Sequence, residues 1–224
     1  MAPIKIFCFS DILCIWAYIA QIRLDELQRN FSTQVAVQYH FVSVFGSARE
    51  KLEKGWQDRG GLAAYGQHIQ KVSQKFNHIN VNPGVWTQTV PTSSLSSHVF
   101  LKAIELVEQE QSPGSIVLLE KVIKACREAF FCQLRDISHR SVQLEIAEEL
   151  NLPIAQIQEK IESGTAYARL SQDLDLVKAH AVTVSPTLIF NEGRQRLNGN
   201  VGYRVIEANI RELLNSPSGE ASWC

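Results

Sequence analysis

The chain has 224 residues, of which 45% are hydrophobic and 20% charged, and its 22 Lys and Arg residues nearly balance 23 Asp and Glu residues. This profile is typical of a globular protein, and the length fits one large domain or a core domain with an insertion. A net charge of -1 without a dense basic cluster gives no electrostatic footprint for nucleic acid or an anionic membrane. We therefore expect neither among its partners.

Cysteine usage indicates the compartment. Five cysteines are an odd number in a chain long enough to bury a core without disulfides, which favours free thiols in a reducing environment. The apolar segment 12–20 is a poor signal core because Ser10 and Asp11 interrupt the N-terminal segment and a single Lys5 is a weak charged region. No apolar run reaches the roughly 18 residues of a membrane span. These features predict a cytoplasmic protein.

The first 45 residues alternate between strand and helix patterns. Residues 3–9 are apolar on both alternating faces, which is typical of a strand buried on both sides of a sheet. Apolar residues recur at helical spacing over 13–31, and 35–45 returns to alternation with β-branched and aromatic side chains. The pattern predicts a βαβ unit whose second strand is parallel to the first.

A long helical block follows, and strand patterns return only near the C-terminus. Residues 48–77 give a weak helix pattern because several glycines interrupt them. Five clearer helices are predicted at 93–111, 113–135, 138–150, 153–163 and 165–179. Two short strands, at 187–190 and 195–197, then flank a turn, and an amphipathic helix covers 202–214.

These units predict the domain organisation. Neither the βαβ piece nor the ββα piece has enough apolar area alone, so we expect the two to pair in one mixed sheet. The expected arrangement is an α/β domain made of residues 1–46 and 181–214, an all-α insertion at 47–180, and a flexible tail at 215–224.

Cys14 lies where the first predicted strand gives way to the first predicted helix. A thiol in the first turn of a helix feels the positive end of the helix dipole and free backbone N–H groups, and both favour the thiolate. This position indicates a reactive cysteine. The alternative is that Cys14, with apolar neighbours on both sides in the sequence, is a small buried hydrophobic residue.

Val184, Ser185 and Pro186 lie between the helical block and the last two strands. A proline that opens a strand is either an ordinary trans residue at an edge or a cis-proline at a tight corner. A cysteine between strand and helix near the start, together with this proline before a strand–turn–strand–helix unit, resembles the thioredoxin-like fold of the DsbA family. The resemblance extends into the helical block and covers nearly the whole chain, through residues 91–98, 125–136 and 144–152.

The resemblance is to a branch of that family with FrnE-like proteins, kappa-class glutathione transferases and 2-hydroxychromene-2-carboxylate isomerases. It implies an α/β thioredoxin-like fold with a large all-α insertion and a site around Cys14. In that site Trp16 would form a wall and Pro186 would shape the pocket. Val184 and Ser185 would pair through their backbone with an extended peptide or with glutathione.

Three further residues are candidates at the edge of this site. Asn200 lies in the turn that opens the last helix, whose N-terminus can hold a carboxylate. Asp11 is expected either to cap the first helix or to raise the pKa of the Cys14 thiol by its charge. His98 resembles a family histidine that faces the site, with a helix-cap or core role as the alternative. The histidines and cysteines show no metal-ligand spacing, so we expect no metal site.

One departure from the family pattern decides the expected mechanism. The DsbA motif is Cys-Pro-x-Cys, whereas this chain has Cys-Ile-Trp-Ala from Cys14 to Ala17, so Ala17 replaces the resolving cysteine. A dithiol enzyme clears its mixed disulfide with that second cysteine. Cys14 is therefore expected to need an outside thiol, such as glutathione as a co-substrate, or Cys224 at the end of the tail.

Three functions remain open at this point. The first is a DsbA-family thiol-disulfide oxidoreductase that acts through a single nucleophilic cysteine on a protein or small-molecule thiol or disulfide. The second is a glutathione transferase or 2-hydroxychromene-2-carboxylate isomerase in which Cys14 activates bound glutathione without a redox change. The third is a non-catalytic thioredoxin-fold binding protein. We expect no tightly bound cofactor, and either a monomer or a homodimer.

Overall fold

The computed structural model describes residues 3–215, and within them four strands form one mixed sheet. The strands are β1 (Ile4–Ser10), β2 (Val35–Phe41), β3 (Thr187–Phe190) and β4 (Gln195–Asn198). Their order in the sheet is β2-β1-β3-β4, with β1 parallel to β2 and with β3 antiparallel to both β1 and β4. The predicted pairing of the βαβ unit with the ββα unit is therefore confirmed, and it occurs between β1 and β3.

Helices make up most of the remaining described chain. They are α1 (Ile15–Phe31), α2 (Ala48–Trp56), α3 (Gly61–Ser73), α4 (Leu95–Gln111), α5 (Val117–Phe131), α6 (Arg140–Glu149), α7 (Ile154–Glu162), α8 (Thr165–Ala179) and α9 (Tyr203–Asn215). The seven helices α2 to α8 lie between β2 and β3 in the chain, which confirms an α/β fold with a helical insertion. No helix in this part of the chain is long and apolar enough to cross a lipid bilayer.

Both faces of β1 are covered, which explains its continuous apolar pattern. On one face Cys8 belongs to the main core and lines a cavity together with residues of α1 and α9. On the other face Phe9 packs with Val182 and Ile189 in a separate cluster, bordered by residues of α8. The predicted strand that is buried on both sides is therefore confirmed.

The helix predicted at 113–135 begins later than expected. Gly114 has a φ of +83°, a left-handed conformation that does not belong to a helix, and α5 begins only at Val117. The carboxylate of Glu108, near the end of α4, accepts hydrogen bonds from the N–H groups of the second and third residues of α5, at 2.8 and 2.9 Å. A side chain from the preceding helix therefore caps α5, and the predicted start at Pro113 is wrong.

A buried ion network attaches α4 and α8 to β2. Lys102 Nζ lies 2.6 Å from Glu105 Oε2 and 2.8 Å from Asp173 Oδ2, and Lys102 is fully buried. Lys102 also donates a hydrogen bond to the carbonyl oxygen of Tyr39 at 2.9 Å. Burial opposes the charge of Asp173, but the hydrogen bond with His40 and the Lys102 ammonium outweigh it and hold the pKa of Asp173 below its ordinary value.

Candidate functional site

Cys14 is the N-cap residue of α1 and faces the loop that precedes β3. Its Sγ donates a hydrogen bond to the carbonyl oxygen of Ser185 at 3.3 Å. The peptide bond that follows, Ser185–Pro186, is cis. Of the two forms that the sequence left open for Pro186, the structure therefore has the cis-proline and not the trans residue. The fold therefore brings the cysteine and the proline loop together, although Cys14 and Ser185 are 171 positions apart in the chain.

The Cys14 thiol is protonated at neutral pH. The residue is only 6% exposed, and this burial raises the pKa of Cys14 above its ordinary value. Ser185 and the backbone of Ala17 lower the pKa of this thiol, the charge of Asp11 raises it, and the backbone of Trp16 lowers it, but burial dominates. A position at the start of a helix favours the thiolate, but burial outweighs this effect. The resting form of Cys14 is therefore the thiol.

Asp11 organises the loop before Cys14. It is fully buried, and its Oδ1 accepts a hydrogen bond from the N–H of Leu13 at 2.9 Å. Its Oδ2 accepts from the N–H of Phe45 and from Ser94 Oγ, both at 2.8 Å. Among residues 3–215 no side chain caps the start of α1, so the predicted capping role of Asp11 is wrong. The other predicted role holds, because the Asp11 charge contributes to the raised pKa of Cys14.

His98 supports the same loop from the interior. It is fully buried, its ring stacks on Phe41 with centroids 4.8 Å apart, and its Nε2 accepts a hydrogen bond from the N–H of Ile12 at 3.2 Å. Burial lowers the pKa of His98, which favours the neutral ring, and because Nε2 accepts the hydrogen bond from Ile12, the proton of that ring is on Nδ1. The structure therefore places His98 in the core, as the alternative interpretation held, and not at a surface facing substrate.

The Asp11→Asn substitution tests how the loop is held. The amide keeps the shape of the side chain, but its NH2 group is a donor. It would face N–H or O–H donors whose hydrogen bonds the carboxylate of Asp11 accepts. We expect a loss of about 1–3 kcal/mol in the free energy of unfolding. The pKa of Cys14 should fall as well, because a negative charge beside it is removed.

Urea unfolding measures the first effect, and the pH dependence of Cys14 alkylation measures the second. The matched control is Asp58→Asn, at an exposed position between α2 and α3, which should change neither quantity. A pKa of Cys14 that does not fall in Asp11→Asn would contradict the role assigned to the Asp11 charge.

Trp16 and Ala17 follow Cys14 in α1 and have different surroundings. Trp16 is half-buried, and its ring meets the ring of Phe76 edge-on with centroids 6.2 Å apart. Ala17 is 3% exposed and lines a cavity together with Pro186. The methyl group that stands in place of a resolving thiol therefore lies on the same cavity as the cis-proline.

The loop before Pro186 offers backbone donors. In the described structure the N–H groups of Val184 and Ser185 form no hydrogen bond, and Val184 is 39% exposed. Other atoms of the loop are engaged: Ser185 Oγ accepts from the N–H of Asp11 at 2.9 Å, and the Val184 carbonyl accepts from Thr187 Oγ1 at 2.8 Å. The loop is thus fixed in position while two donors remain available for strand-like pairing.

The structure says less about two other predicted site residues, Asn200 and Cys224. Asn200 Oδ1 accepts a hydrogen bond from Arg23 Nη1, so the Asn200 side chain is held by α1. Cys224 lies outside the described residues, as do residues 216–224 of the predicted tail, and its resolving role stays a prediction. Within residues 3–215, no group of three His, Cys, Asp or Glu side chains is arranged to hold a metal ion.

Sequence reasoning missed two buried residues near the thiol. Tyr65, in α3, is 9% exposed, and burial followed by the charges of Cys14 and Asp11 raises the pKa of Tyr65. Ser94, just before α4, donates to Asp11. Both lie in the helical insertion, Ser94 within the segment 91–98 that resembles the family, and only the packing of that insertion against the sheet reveals their place.

The geometry of this site agrees with the family to which the chain belongs. The chain is a member of the DSBA-like thioredoxin domain family, whose family model matches residues 5–211. It is 23% identical over 221 residues to the ClpXP adapter protein SpxH of Halalkalibacterium halodurans, in an alignment that covers 95% of this chain and 68% of that protein. The predicted family is therefore confirmed.

Solved structures show the same fold. The cytosolic disulfide reductase DsbM from Pseudomonas aeruginosa is similar with a TM-score of 0.65 at 18% identity, over 93% of this chain and 99% of DsbM. A 2-hydroxychromene-2-carboxylate isomerase gives a TM-score of 0.65 at 16% identity, over 94% of this chain and 96% of the isomerase. The predicted thioredoxin-like fold is thereby confirmed.

Proposed function

We propose that this protein carries out thiol–disulfide exchange through Cys14 alone. The observation that carries the proposal is the 3.3 Å contact between Cys14 Sγ and the carbonyl of Ser185, directly before the cis peptide bond. Ala17 stands where the family motif has its second cysteine, so an outside thiol releases the mixed disulfide. Glutathione is the candidate for that thiol.

The exchange takes two steps that balance in atoms and electrons. The deprotonated Cys14 Sγ attacks one sulfur of a substrate disulfide, the S–S bond breaks, and the second substrate sulfur leaves as a thiolate that takes up a proton. An outside thiolate then attacks the substrate sulfur bound to Cys14, and the Cys14 sulfur leaves as a thiolate. The outside thiol ends in the new disulfide, so the exchange needs no further oxidant or reductant.

The loop before Pro186 orients the substrate. The free N–H groups of Val184 and Ser185 pair with carbonyl oxygens of an extended peptide or of glutathione, as in the addition of a strand to a sheet. Cys14 Sγ is hydrogen-bonded to Ser185, so a substrate paired with this loop has its sulfur next to the thiol. The half-buried Trp16 lies two residues along α1 and forms a wall of the site.

The Ala17→Cys substitution tests the single-cysteine mechanism. It restores a thiol three residues after Cys14, at the position of the second cysteine of the family motif and on the same cavity as Pro186. Wild-type protein treated with glutathione disulfide should retain one glutathione on Cys14, whereas this variant should release it and form an internal disulfide. Intact mass and peptide mapping distinguish the two products.

The matched control is Ala20→Cys, one turn further along α1 and on the same cavity. It adds a thiol at a position without a resolving role, so it should keep the glutathione on Cys14. Retention of glutathione by both variants would count against the proposed role of position 17.

A non-catalytic binding protein is the second candidate. It is favoured by the burial of Cys14 and by its raised pKa, which both lower the reactivity of the thiol. The name of the relative SpxH describes an adapter protein. Under this alternative, wild-type protein and Cys14→Ser are equally inactive toward disulfides and bind the same partners.

A further inference from the structure

Tyr65, in α3, has a hydroxyl group that no other group binds. The side chain is only 9% exposed, yet its Oη forms no hydrogen bond within residues 3–215. The same oxygen is not fully enclosed, so it remains accessible from outside. A phenol has one proton to donate, and the hydroxyl of a tyrosine this deeply buried usually has a partner. The unpaired hydroxyl therefore points to a ligand.

Aromatic neighbours and a close helix contact hold the ring of Tyr65 in place. The ring meets those of Trp56 and Trp86 edge-on, with centroids 5.1 and 5.5 Å apart. Gly66 lets α3 approach the segment 85–87 closely, because a Cβ there would lie 2.9 Å from the carbonyl oxygen of Val85. Packing thus fixes the hydroxyl without using its hydrogen bond, which leaves a donor that is oriented in advance.

The same packing places Tyr65 beside the thiol. Trp86 also stacks on Phe45 with centroids 5.3 Å apart, and the N–H of Phe45 donates to Asp11 in the loop before Cys14. Cys14 and Tyr65 belong to one hydrophobic cluster, and the charges of Cys14 and Asp11 both act on the phenol. No hydrogen bond joins Tyr65 to Cys14 directly, so the hydroxyl stays free for a group that binds between them.

The phenol of Tyr65 is a hydrogen-bond donor and not an acid at neutral pH. Burial, followed by the charges of Cys14 and Asp11, raises the pKa of Tyr65 above its ordinary value. That ordinary value is already higher than the pKa of a thiol. The phenol therefore keeps its proton when it faces a thiolate, and it stabilises the negative sulfur through a hydrogen bond.

Thiol–disulfide exchange creates a charge that this donor can stabilise. When the Cys14 thiolate attacks a disulfide, the negative charge moves to the leaving sulfur, which lies beyond the attacked sulfur. The leaving sulfur is thus near Cys14 but not bonded to it. The bond from Cys14 Sγ to the attacked sulfur forms, the substrate S–S bond breaks, and the leaving thiolate takes a proton from water. Tyr65 ends the step unchanged.

We propose that Tyr65 is a second catalytic residue, whose hydroxyl donates a hydrogen bond to the substrate sulfur that leaves as Cys14 attacks. The proposal rests on the exchange proposed for Cys14 and adds the group that stabilises its leaving thiolate. It also defines a preference among substrates. A disulfide that releases a basic thiolate, such as an alkyl thiolate, depends on Tyr65 more than one that releases a stabilised thiolate.

The Tyr65→Phe variant tests this role, because it removes the hydroxyl and keeps the ring. The loss leaves no group of residues 3–215 without a partner, so the fold should be retained, which circular dichroism and Tm check. Two disulfides place the same glutathione on Cys14. Glutathione disulfide releases a basic thiolate, whereas glutathionyl 2-pyridyl disulfide releases a thiolate whose charge spreads over an aromatic ring. Peptide mapping should show attachment to Cys14 slowed at least about tenfold from the first and less than about twofold from the second.

The matched control is Tyr167→Phe, at an exposed position in α8, which should react like the wild type with both disulfides. Equal slowing of Tyr65→Phe with both would assign Tyr65 a packing role only, and unchanged rates with both would show that it does not reach the leaving sulfur. Either result overturns this inference and leaves the exchange at Cys14 standing. If wild-type protein takes up glutathione on Cys14 from neither disulfide, the proposed function is wrong and the role of Tyr65 falls with it.

Discussion

The Cys14→Ser variant is expected to lose disulfide exchange by at least about a thousandfold, because a hydroxyl forms no disulfide and ionises far less readily than a thiol. The serine keeps a donor for the carbonyl of Ser185, which the thiol contacts at 3.3 Å, so the fold should be retained. Reduction of bis(2-hydroxyethyl) disulfide by excess reduced glutathione, followed as the formation of glutathione disulfide, measures the activity. Circular dichroism and Tm measure the fold.

The control for this variant is Cys132→Ser. Cys132 lies directly after α5, is partly exposed and donates a hydrogen bond to the carbonyl of Asn80. A serine there preserves that hydrogen bond and should leave the exchange rate unchanged. Equal activity of wild-type protein and Cys14→Ser would show that Cys14 does not carry the chemistry.

The Lys102→Met variant is expected to show the largest loss of stability, about 3–5 kcal/mol in the free energy of unfolding. Lys102 is fully buried between Glu105 and Asp173, and methionine fills a similar volume without the charge. Removal of the Lys102 ammonium leaves the carboxylate of Asp173 buried, with His40 as the remaining side-chain partner of Asp173. Urea unfolding measures the change.

The control for Lys102 is an exposed lysine in an ion pair. Lys54 pairs with Glu50 at 2.5 Å on the surface of α2, where solvent screens the charges. Lys54→Met should leave the urea midpoint unchanged within error. A midpoint for Lys102→Met that matches the wild type would contradict the assigned role of the buried network.

Much of the fold follows from local patterns. The continuous apolar run of β1 and the 3.6-residue periodicity of α8 are properties of adjacent residues, and the predicted bounds of α8 agree with Thr165–Ala179. The start of α5 was missed because its cap is Glu108, a side chain of the preceding helix. The weak pattern over 48–77 still forms α2 and α3, since tertiary packing outweighs interrupted periodicity.

The sequence predicts that Cys14 and Pro186 lie at the centre of the candidate site, but it does not predict the burial and contacts of the residues around them. Cys14 and Pro186 stand at strand ends that the topology brings together, so their meeting followed from the order of the elements. The raised pKa of Cys14 did not, because it depends on burial that only the assembled fold shows. The role of Ser94 likewise depends on where α4 packs.

The most direct test of the central claim is the pH dependence of glutathione attachment to Cys14, with wild-type protein and glutathione disulfide and with peptide mapping of each cysteine. Because the pKa of Cys14 is raised, the thiolate fraction limits the rate. The single-cysteine mechanism predicts attachment to Cys14 at a rate that rises about tenfold per pH unit between about pH 6 and 9. Attachment confined to Cys132 or Cys224, or none at any pH, would contradict it and identify Cys14 as a structural thiol.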